Sequence, residues 1–329
     1  MNVAILGATG MVGREMINVL QEREFPVDTL KLFASARSVG NKIDFNGREI
    51  VIEEANESSF EGMDFVFGAV SNAMAEQFAP FIVKAGAIFI DNSSAFRMLD
   101  EVPLVIPEIN PTDAFKHKGI IANPNCSTII AMVALNPIHQ RFGVKSVVAC
   151  TYQAVSGAGQ EGTQELIDQI NASVSKKEIS VKVFPRPIAY NVIPMIGGEE
   201  ENGYTSEEMK MRNEGRKILH QPDLNVNCTC VRVPVLRSHS VAMTVETHEL
   251  IDLDLIREDW AKAPGIGALP EGLSYPTPLD TSDQDLVMVG RLRKDLNYPL
   301  RGVSFWCCGD QVRKGAATNA IQIAELFLK

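Results

Sequence analysis

Asn2-Val3-Ala4-Ile5-Leu6-Gly7-Ala8-Thr9-Gly10-Met11-Val12-Gly13 decides how this chain folds. A short apolar run ends in glycines, and Met11, Val12, Met16, Val19 and Leu20 then recur at helical spacing, so the segment reads as strand, turn, helix. In that setting small residues let the backbone approach a pyrophosphate held at a helix N-terminus. Gly7, Thr9, Gly10, Met11 and Val12 are therefore the candidate cofactor-binding residues. The spacing is G-x-x-G-x-x-G, a relative of the dinucleotide fingerprint, and a tight turn without any ligand could use the same residues.

Working outward, residues 30–34, 50–52, 65–70 and 87–90 are further apolar strand candidates, and 72–84 reads as a helix between the last two. Residues 104–106 and 120–122 add two short strands. This alternation predicts a parallel sheet with helices on both faces, an α/β Rossmann-like domain. Beyond Cys126 an apolar helix over 129–138 leads into a β-rich run at 144–155, and regular alternation stops. Helices are expected at 163–170 and 205–220, and strands at 226–235, 240–246, 285–291 and 302–308. Strands predominate there, which predicts an α+β domain on a mostly antiparallel sheet. The final segment, 313–328, reads as an amphipathic helix returning to the first domain. The expected division is residues 1–125 plus 312–329 for the dinucleotide-binding domain and 126–311 for the second, α+β domain.

With 329 residues, 45% hydrophobic and 22% charged, the composition is that of an ordinary globular protein. Thirty-one Lys plus Arg stand against 41 Asp plus Glu, a net charge of −10 that disfavours nucleic acid and anionic lipid as partners. An anionic ligand then needs a local cluster of cations. No run of about 18 apolar residues suggests a membrane span and no export signal is read, and the sparse cysteines favour a reducing compartment, so a cytoplasmic protein is expected. The six cysteines lack the spacing of a disulfide framework or a zinc site, and no metal is expected.

Two local stretches carry chemistry. After the second strand, Phe33-Ala34-Ser35-Ala36-Arg37-Ser38 supplies no acid for a ribose hydroxyl; Arg37 and Ser38 suit a 2′-phosphate instead, which favours NADP. At Asn123-Pro124-Asn125-Cys126-Ser127-Thr128 the cysteine falls in the first turn of the apolar helix, with Asn125 as a suitable N-cap. The positive end of the helix favours a thiolate there. The other five cysteines, Cys150 included, are expected to pack in the core.

At these residues the chain resembles aspartate-β-semialdehyde dehydrogenases along essentially its whole length. The resemblance rests on the turn at 7–13, Ser93-Ser94-Ala95-Phe96-Arg97, the stretch 123–128, Tyr152-Gln153-Ala154-Val155-Ser156-Gly157-Ala158-Gly159, Phe184-Pro185 with Asn191-Val192-Ile193-Pro194, residues 207–210, residues 232–239 and Arg313-Lys314-Gly315-Ala316-Ala317. It implies NADPH-dependent reduction of L-aspartyl-4-phosphate to L-aspartate-4-semialdehyde through a cysteine acyl-thioester, on the route to lysine, threonine and methionine.

By that resemblance Cys126 is the nucleophile, His239 the general acid/base and Gln153 the amide that orients substrate. Arg232 is the carboxylate clamp; Arg97, Lys210 and Asn125 are phosphate ligands. Ser156, Gly157, Gln311 and Asn72 join the cofactor set. Two acids compete for the substrate ammonium. Thr205-Ser206-Glu207-Glu208 fits a capping box that occupies Glu208, and Glu207 shares a helix face with Lys210, so Glu207 is assigned to substrate. A Lys210–Glu214 salt bridge is the plainer use of that lysine. The cations Arg37, Arg97, Lys210 and Arg232 are expected to gather in one cleft.

Alternative readings are an N-acetyl-γ-glutamyl-phosphate reductase, which would have no use for Glu207, and a catalytically silent NADP-binding scaffold. The resemblance also makes 126–311 the catalytic and dimerisation domain and implies a homodimer, with a tetramer as the larger alternative.

Overall fold

The computed structural model describes residues 1–328 and divides the chain into two compact units, residues 1–125 with 316 onward, and residues 126–315. In the first unit β1 (Asn2–Leu6) and α1 (Met11–Glu22) flank the glycine turn. They are followed by β2 (Thr29–Phe33), β3 (Lys42–Phe45), β4 (Arg48–Glu53), β5 (Phe65–Gly68), α2 (Asn72–Lys84), β6 (Ile88–Asp91) and β7 (Ile120–Ala122). The strands line up as β3-β4-β2-β1-β5-β6-β7, and every neighbouring pair is parallel except β3-β4. The chain leaves β1 to one side for β2 and reaches β5 on the other. That reversal opens a crevice at the carboxyl end of β1, where ligands bind in sheets of this kind.

Two features of this sheet differ from the expectation. Residues 104–106 form no strand; a single parallel bridge joins Leu104 to Ala122. The Asn110 side chain accepts from the Ile106 N–H and donates to the Leu104 carbonyl, so a side chain occupies backbone groups that a ladder would have used. The antiparallel β3-β4 hairpin was also not anticipated. Its turn is Asn46-Gly47, with φ of 51° and 76°, the left-handed pair that a two-residue hairpin requires.

The second unit contains α3 (Cys126–Phe142), β8 (Val144–Gln153), α4 (Gly159–Val174), α5 (Ser206–Ile218), β9 (Asn225–Arg232), β10 (His239–Thr247), α6 (Leu253–Lys262), β11 (Ile266–Gly267), α7 (Pro278–Thr281), β12 (Val287–Lys294) and β13 (Gly302–Gly309). The sheet order is β11-β12-β13-β10-β8-β9, with antiparallel pairings in the middle and a parallel pair at each end. Helix α3 is buried over most of its surface, as a helix apolar all round must be. Val147, Ala149, Val241, Met243, Phe305 and Cys307 lie on the buried face of the sheet.

The opposite face is open: Val148 and Tyr152 are exposed, and Cys150 and Trp306 are half-buried beside them. Cys150 is therefore not a core cysteine, because period-two alternation along β8 puts it with Val148 and Tyr152 on the outer side. The final helix also starts differently from the expectation. A wide π-type turn at Arg313–Ala317 precedes α8 (Thr318–Glu325), and Ala317, Ala320, Ile321 and Ala324 enter the core of the first unit with Val3, Ile5 and Phe67.

Candidate active site

The glycine turn is a cradle built from backbone. A Cβ on Gly7, whose φ is +92°, would lie 2.3 Å from the Ala69 carbonyl oxygen, and one on Gly13 would lie 2.2 Å from that of Gly7. Gly10 caps α1 without a side-chain hydrogen bond, and no acid stands in the first turn. A pyrophosphate fits such a helix end. Thr9, Met11 and Val12 are half-buried around it, and the turn Ala36–Ser38 after β2 carries exposed Arg37 and half-buried Ser38. Asn72 begins α2; its amide is paired with Ser94, accepting from the Ser94 N–H at 3.0 Å and donating to its hydroxyl at 2.9 Å.

Also in the first unit, Arg97 is buried and anchored by carbonyls, Nε to Asn123 at 2.9 Å and Nη2 to Asn92 at 2.7 Å. Below it Asp91 is fully buried, and burial raises its carboxyl above the usual range, opposed by the Ser93 hydroxyl and by Arg97. Asn125 is buried immediately before Cys126.

In the second unit four segments remote in sequence join Cys126, the first residue of α3. Gln153 ends β8, Glu207 sits in the first turn of α5, Arg232 ends β9 and His239 starts β10. The parallel β8-β9 register puts Gln153 opposite Arg232. The Gln153 side chain is oriented at both ends, with Oε1 accepting from the Thr151 hydroxyl at 3.0 Å and Nε2 donating to Glu207 Oε1 at 3.1 Å. Lys210 Nζ donates to the other Glu207 oxygen at 3.1 Å. Glu207 and Lys210 are thus partners of each other, joined by their i, i+3 spacing, where separate contacts had been expected. The capping box is present: Thr205 N–H donates to Glu208 Oε2 and Cys230 N–H to its Oε1, so both Glu208 oxygens serve the backbone.

Arg232 is buried, donates from Nη1 to the Ala154 carbonyl at 2.7 Å, and stacks over the Phe184 ring at 5.9 Å. Burial lowers its pKa, opposed first by Cys126 and then by Glu207, so the guanidinium and the cysteine sulfur are electrostatic neighbours. His239 has no exposed surface, and its Nδ1 accepts from the Ala154 N–H at 3.0 Å. Burial and then the Arg232 charge push its pKa down to about 3, against smaller opposing effects of Glu207 and the Ser238 backbone. The imidazole is neutral at ordinary pH.

Gln311 is buried too. Its Oε1 accepts from the Ser238 N–H at 2.8 Å and its Nε2 donates to the Ser156 hydroxyl. Both ends of the amide expected to meet the cofactor are therefore engaged by protein. Ser238 holds a φ of 71°, a left-handed conformation unusual for a residue with a side chain, just before His239.

Sequence reasoning missed Gly315 and Phe184 as contributors, and it placed Gly157 with the cofactor without showing what that glycine makes room for. Gly157 is exposed, and a Cβ there would lie 2.6 Å from Arg232 Nη1 and 3.2 Å from His239 Nε2. Gly315 lets the chain pass Cys126, since its Cβ would come within 2.9 Å of the cysteine Cβ. Phe184 supplies the face under Arg232. The Phe184-Pro185 pair and the Gly315 motif were visible as strings, but nothing local says what they touch. Among the described residues no group of three or more His, Cys, Asp or Glu could hold a metal ion, and no helix is long and apolar enough to cross a membrane.

Comparison with known proteins agrees with this architecture. The family profile described as semialdehyde dehydrogenase, NAD binding domain, matches residues 2–117, and that described as semialdehyde dehydrogenase, dimerisation domain, matches 135–314. The chain is 48% identical to an aspartate-semialdehyde dehydrogenase of Aquifex aeolicus, over 99% of this chain and 98% of that one. It is 46% identical to one from Synechocystis, over 99% and 97%. An aspartate semialdehyde dehydrogenase II from Vibrio cholerae, solved in complex with ASA, superposes with a TM-score of 0.97 at 43% identity, covering 99% of this chain and 98% of that one.

Proposed function

The chain belongs to the aspartate-semialdehyde dehydrogenase family, and from that premise we propose that it converts L-aspartyl-4-phosphate to L-aspartate-4-semialdehyde through a thioester on Cys126. The observation that carries this reading is the convergence on Cys126 of a helix N-terminus and the Arg232 guanidinium, both of which favour a thiolate. The sulfur attacks the acyl carbon, the C–S bond forms, and the C–O bond to phosphate breaks. When bound, NADPH supplies the hydride that reduces the thioester. As the C–H bond forms the carbonyl oxygen takes the negative charge, and its return to C=O breaks the C–S bond and regenerates the thiolate. The one proton consumed overall leaves on phosphate.

Arg232 grips the substrate carboxylate, to which a planar guanidinium is suited, and Glu207 meets the ammonium. Substrate entry redistributes the Glu207–Lys210 pair, releasing Lys210 for phosphate, a role we also assign to Arg97 and Asn125. His239 and Gln153 attend the reacting oxygen. On the cofactor side, Gly7, Thr9, Gly10, Met11 and Val12 take the pyrophosphate, Arg37 with Ser38 the 2′-phosphate, and Ser156, Gly157 and Asn72 border the rest. Gln311 acts by holding Ser156. The open face of the second sheet, with Val148 and Tyr152, is the surface a second copy would cover to make a homodimer. The product feeds lysine, threonine and methionine synthesis in the cytoplasm.

The test is reduction of NADP⁺ by L-aspartate-4-semialdehyde, with and without inorganic phosphate, repeated with NAD⁺. Phosphate-dependent reduction that favours NADP⁺ is expected. Turnover indifferent to phosphate would remove the acyl-phosphate step, and equal rates with NAD⁺ would remove the role of Arg37.

A further inference from the structure

Cys228 and Cys230 stand two residues apart on β9, so both side chains point to the same face of the sheet, and both are buried. Their sulfurs lie 3.7 Å apart, one thiol donating to the other. Strand β9 is the edge of its sheet, and between it and α5 lies a cavity of about 250 Å³ lined by Tyr204, Met209, Val226 and Cys228 among others. Two sulfurs in this position suit one kind of bridge above the rest. A direct disulfide needs them about 2.05 Å apart, and strand residues i and i+2 hold their Cα atoms about 6.6 Å apart, at the long limit for that bond. A single atom bonded to both is a better match, since two thiolates on a tetrahedral zinc, with bonds of about 2.3 Å, lie about 3.8 Å apart. A cation nevertheless asks for more than the site holds, because it needs further ligands and both thiols deprotonated. Both Glu208 oxygens serve the backbone, and among the described residues no third His, Cys, Asp or Glu completes a metal site. The hydrogen bond with Cys230, and then burial, raise the Cys228 thiol far above its ordinary range.

We propose that Cys228 and Cys230 form a dithiol site for monosubstituted trivalent arsenicals, compounds of the type R–As(OH)2, with the organic group seated in the cavity between β9 and α5. Arsenic of this kind brings its own third bond, to carbon, and takes the other two from sulfur. Each As–O bond breaks as an As–S bond forms, each thiol proton leaves with the hydroxyl as water, and no atom changes oxidation state. The product is neutral, so the buried pair never has to carry a charge that burial would penalise. Tyr204, Met209 and Val226 give an aryl group its apolar contacts. Cys126 is the single cysteine of α3 and offers one As–S bond, whereas the second bond at the pair is intramolecular and raises affinity about 10²-fold or more. Cys307 and Cys308 are adjacent on β13 and point to opposite faces of the sheet, which sets them wrongly for one bridging atom.

To test this, the intact wild-type protein is treated with phenylarsine oxide in excess glutathione, its unbridged thiols are alkylated in urea, and the tryptic peptides are weighed by mass spectrometry. One phenylarsenic group per chain is expected, stable to glutathione and released by dithiothreitol. It should sit on the peptide 218–232, where Cys228 and Cys230 escape alkylation. An adduct on the Cys126 peptide, an adduct on the peptide of Cys307 and Cys308, or no adduct at all overturns the proposal. Competition against glutathione gives the second arm. Cys228→Ala and Cys230→Ala should each weaken binding about 10²-fold or more, whereas Cys126→Ala should leave it unchanged. Equal affinity in Cys228→Ala and wild type would remove the pair from the site, and the wild-type peptide map decides the question even where an alanine variant fails to fold.

Discussion

The glycine turn of the first unit and the cysteine cluster of the second both sit at the N-terminus of a helix, yet they are made of different material. Around Gly7, Gly10 and Gly13 the working surface is backbone, shaped by what side chains would obstruct. Around Cys126 it is side chain: Gln153, Glu207, Arg232 and His239 come from separate elements, Gln153 bonded to Glu207 and both Arg232 and His239 anchored on the Ala154 backbone. A backbone site depends on a few consecutive residues. A side-chain site depends on strand register and on buried hydrogen bonds between segments remote in sequence.

The sharpest way to break the comparison is Cys126→Ala. Phosphate-dependent turnover should fall about 10⁴-fold or more while NADPH affinity, measured by fluorescence titration, stays unchanged. A parallel loss of NADPH affinity would show that the cysteine cluster and the glycine turn do not act separately. Next comes Gly157→Ala, whose added methyl would press on Arg232 Nη1 at 2.6 Å. Displacing that guanidinium by a fraction of an ångström should cut kcat/KM about 10²-fold, with the thermal midpoint little changed.

The third expectation concerns pH. His239 titrates near 3 in the fold against 6.5 in the unfolded chain, so below about pH 6.5 the unfolded state binds the extra proton. Stability therefore rises with pH across this window and falls as pH drops toward 3. From pH 7 to pH 5 the loss should be about 2 kcal/mol, visible as a steeper fall in urea midpoint for wild type than for His239→Gln. Identical slopes would mean that His239 is not buried neutral. The smallest effect is expected at the exposed cofactor edge, where Arg37→Ala should weaken NADPH about tenfold and leave NADH unaffected, measured by the same titration.

These two sites also differ in how far they could be read beforehand. The strand, the turn and α1 follow from spacing in one continuous stretch, and so does the cysteine at the start of α3. The capping box at Thr205 and Glu208 is equally local, which is why it separated the two acids. What could not be read is who faces whom. Nothing in the spacing says that Gln153 lies opposite Arg232, that Lys210 pairs with Glu207, or that Gln311 turns both ends of its amide to Ser238 and Ser156. Those contacts depend on sheet register and burial, and only the family resemblance brought the residues together in advance. Cys150 shows the converse error, because apolar neighbours along a strand do not say which face is covered.

The central claim is that the Cys126 cluster forms an acyl-thioester. Intact enzyme is mixed with L-aspartyl-4-phosphate in the absence of NADPH, quenched in acid, digested and analysed by peptide mass spectrometry. The account predicts an aspartyl adduct confined to the peptide carrying Cys126 and discharged when NADPH is added before the quench. No adduct, or one on half-buried Cys150 instead, would contradict it.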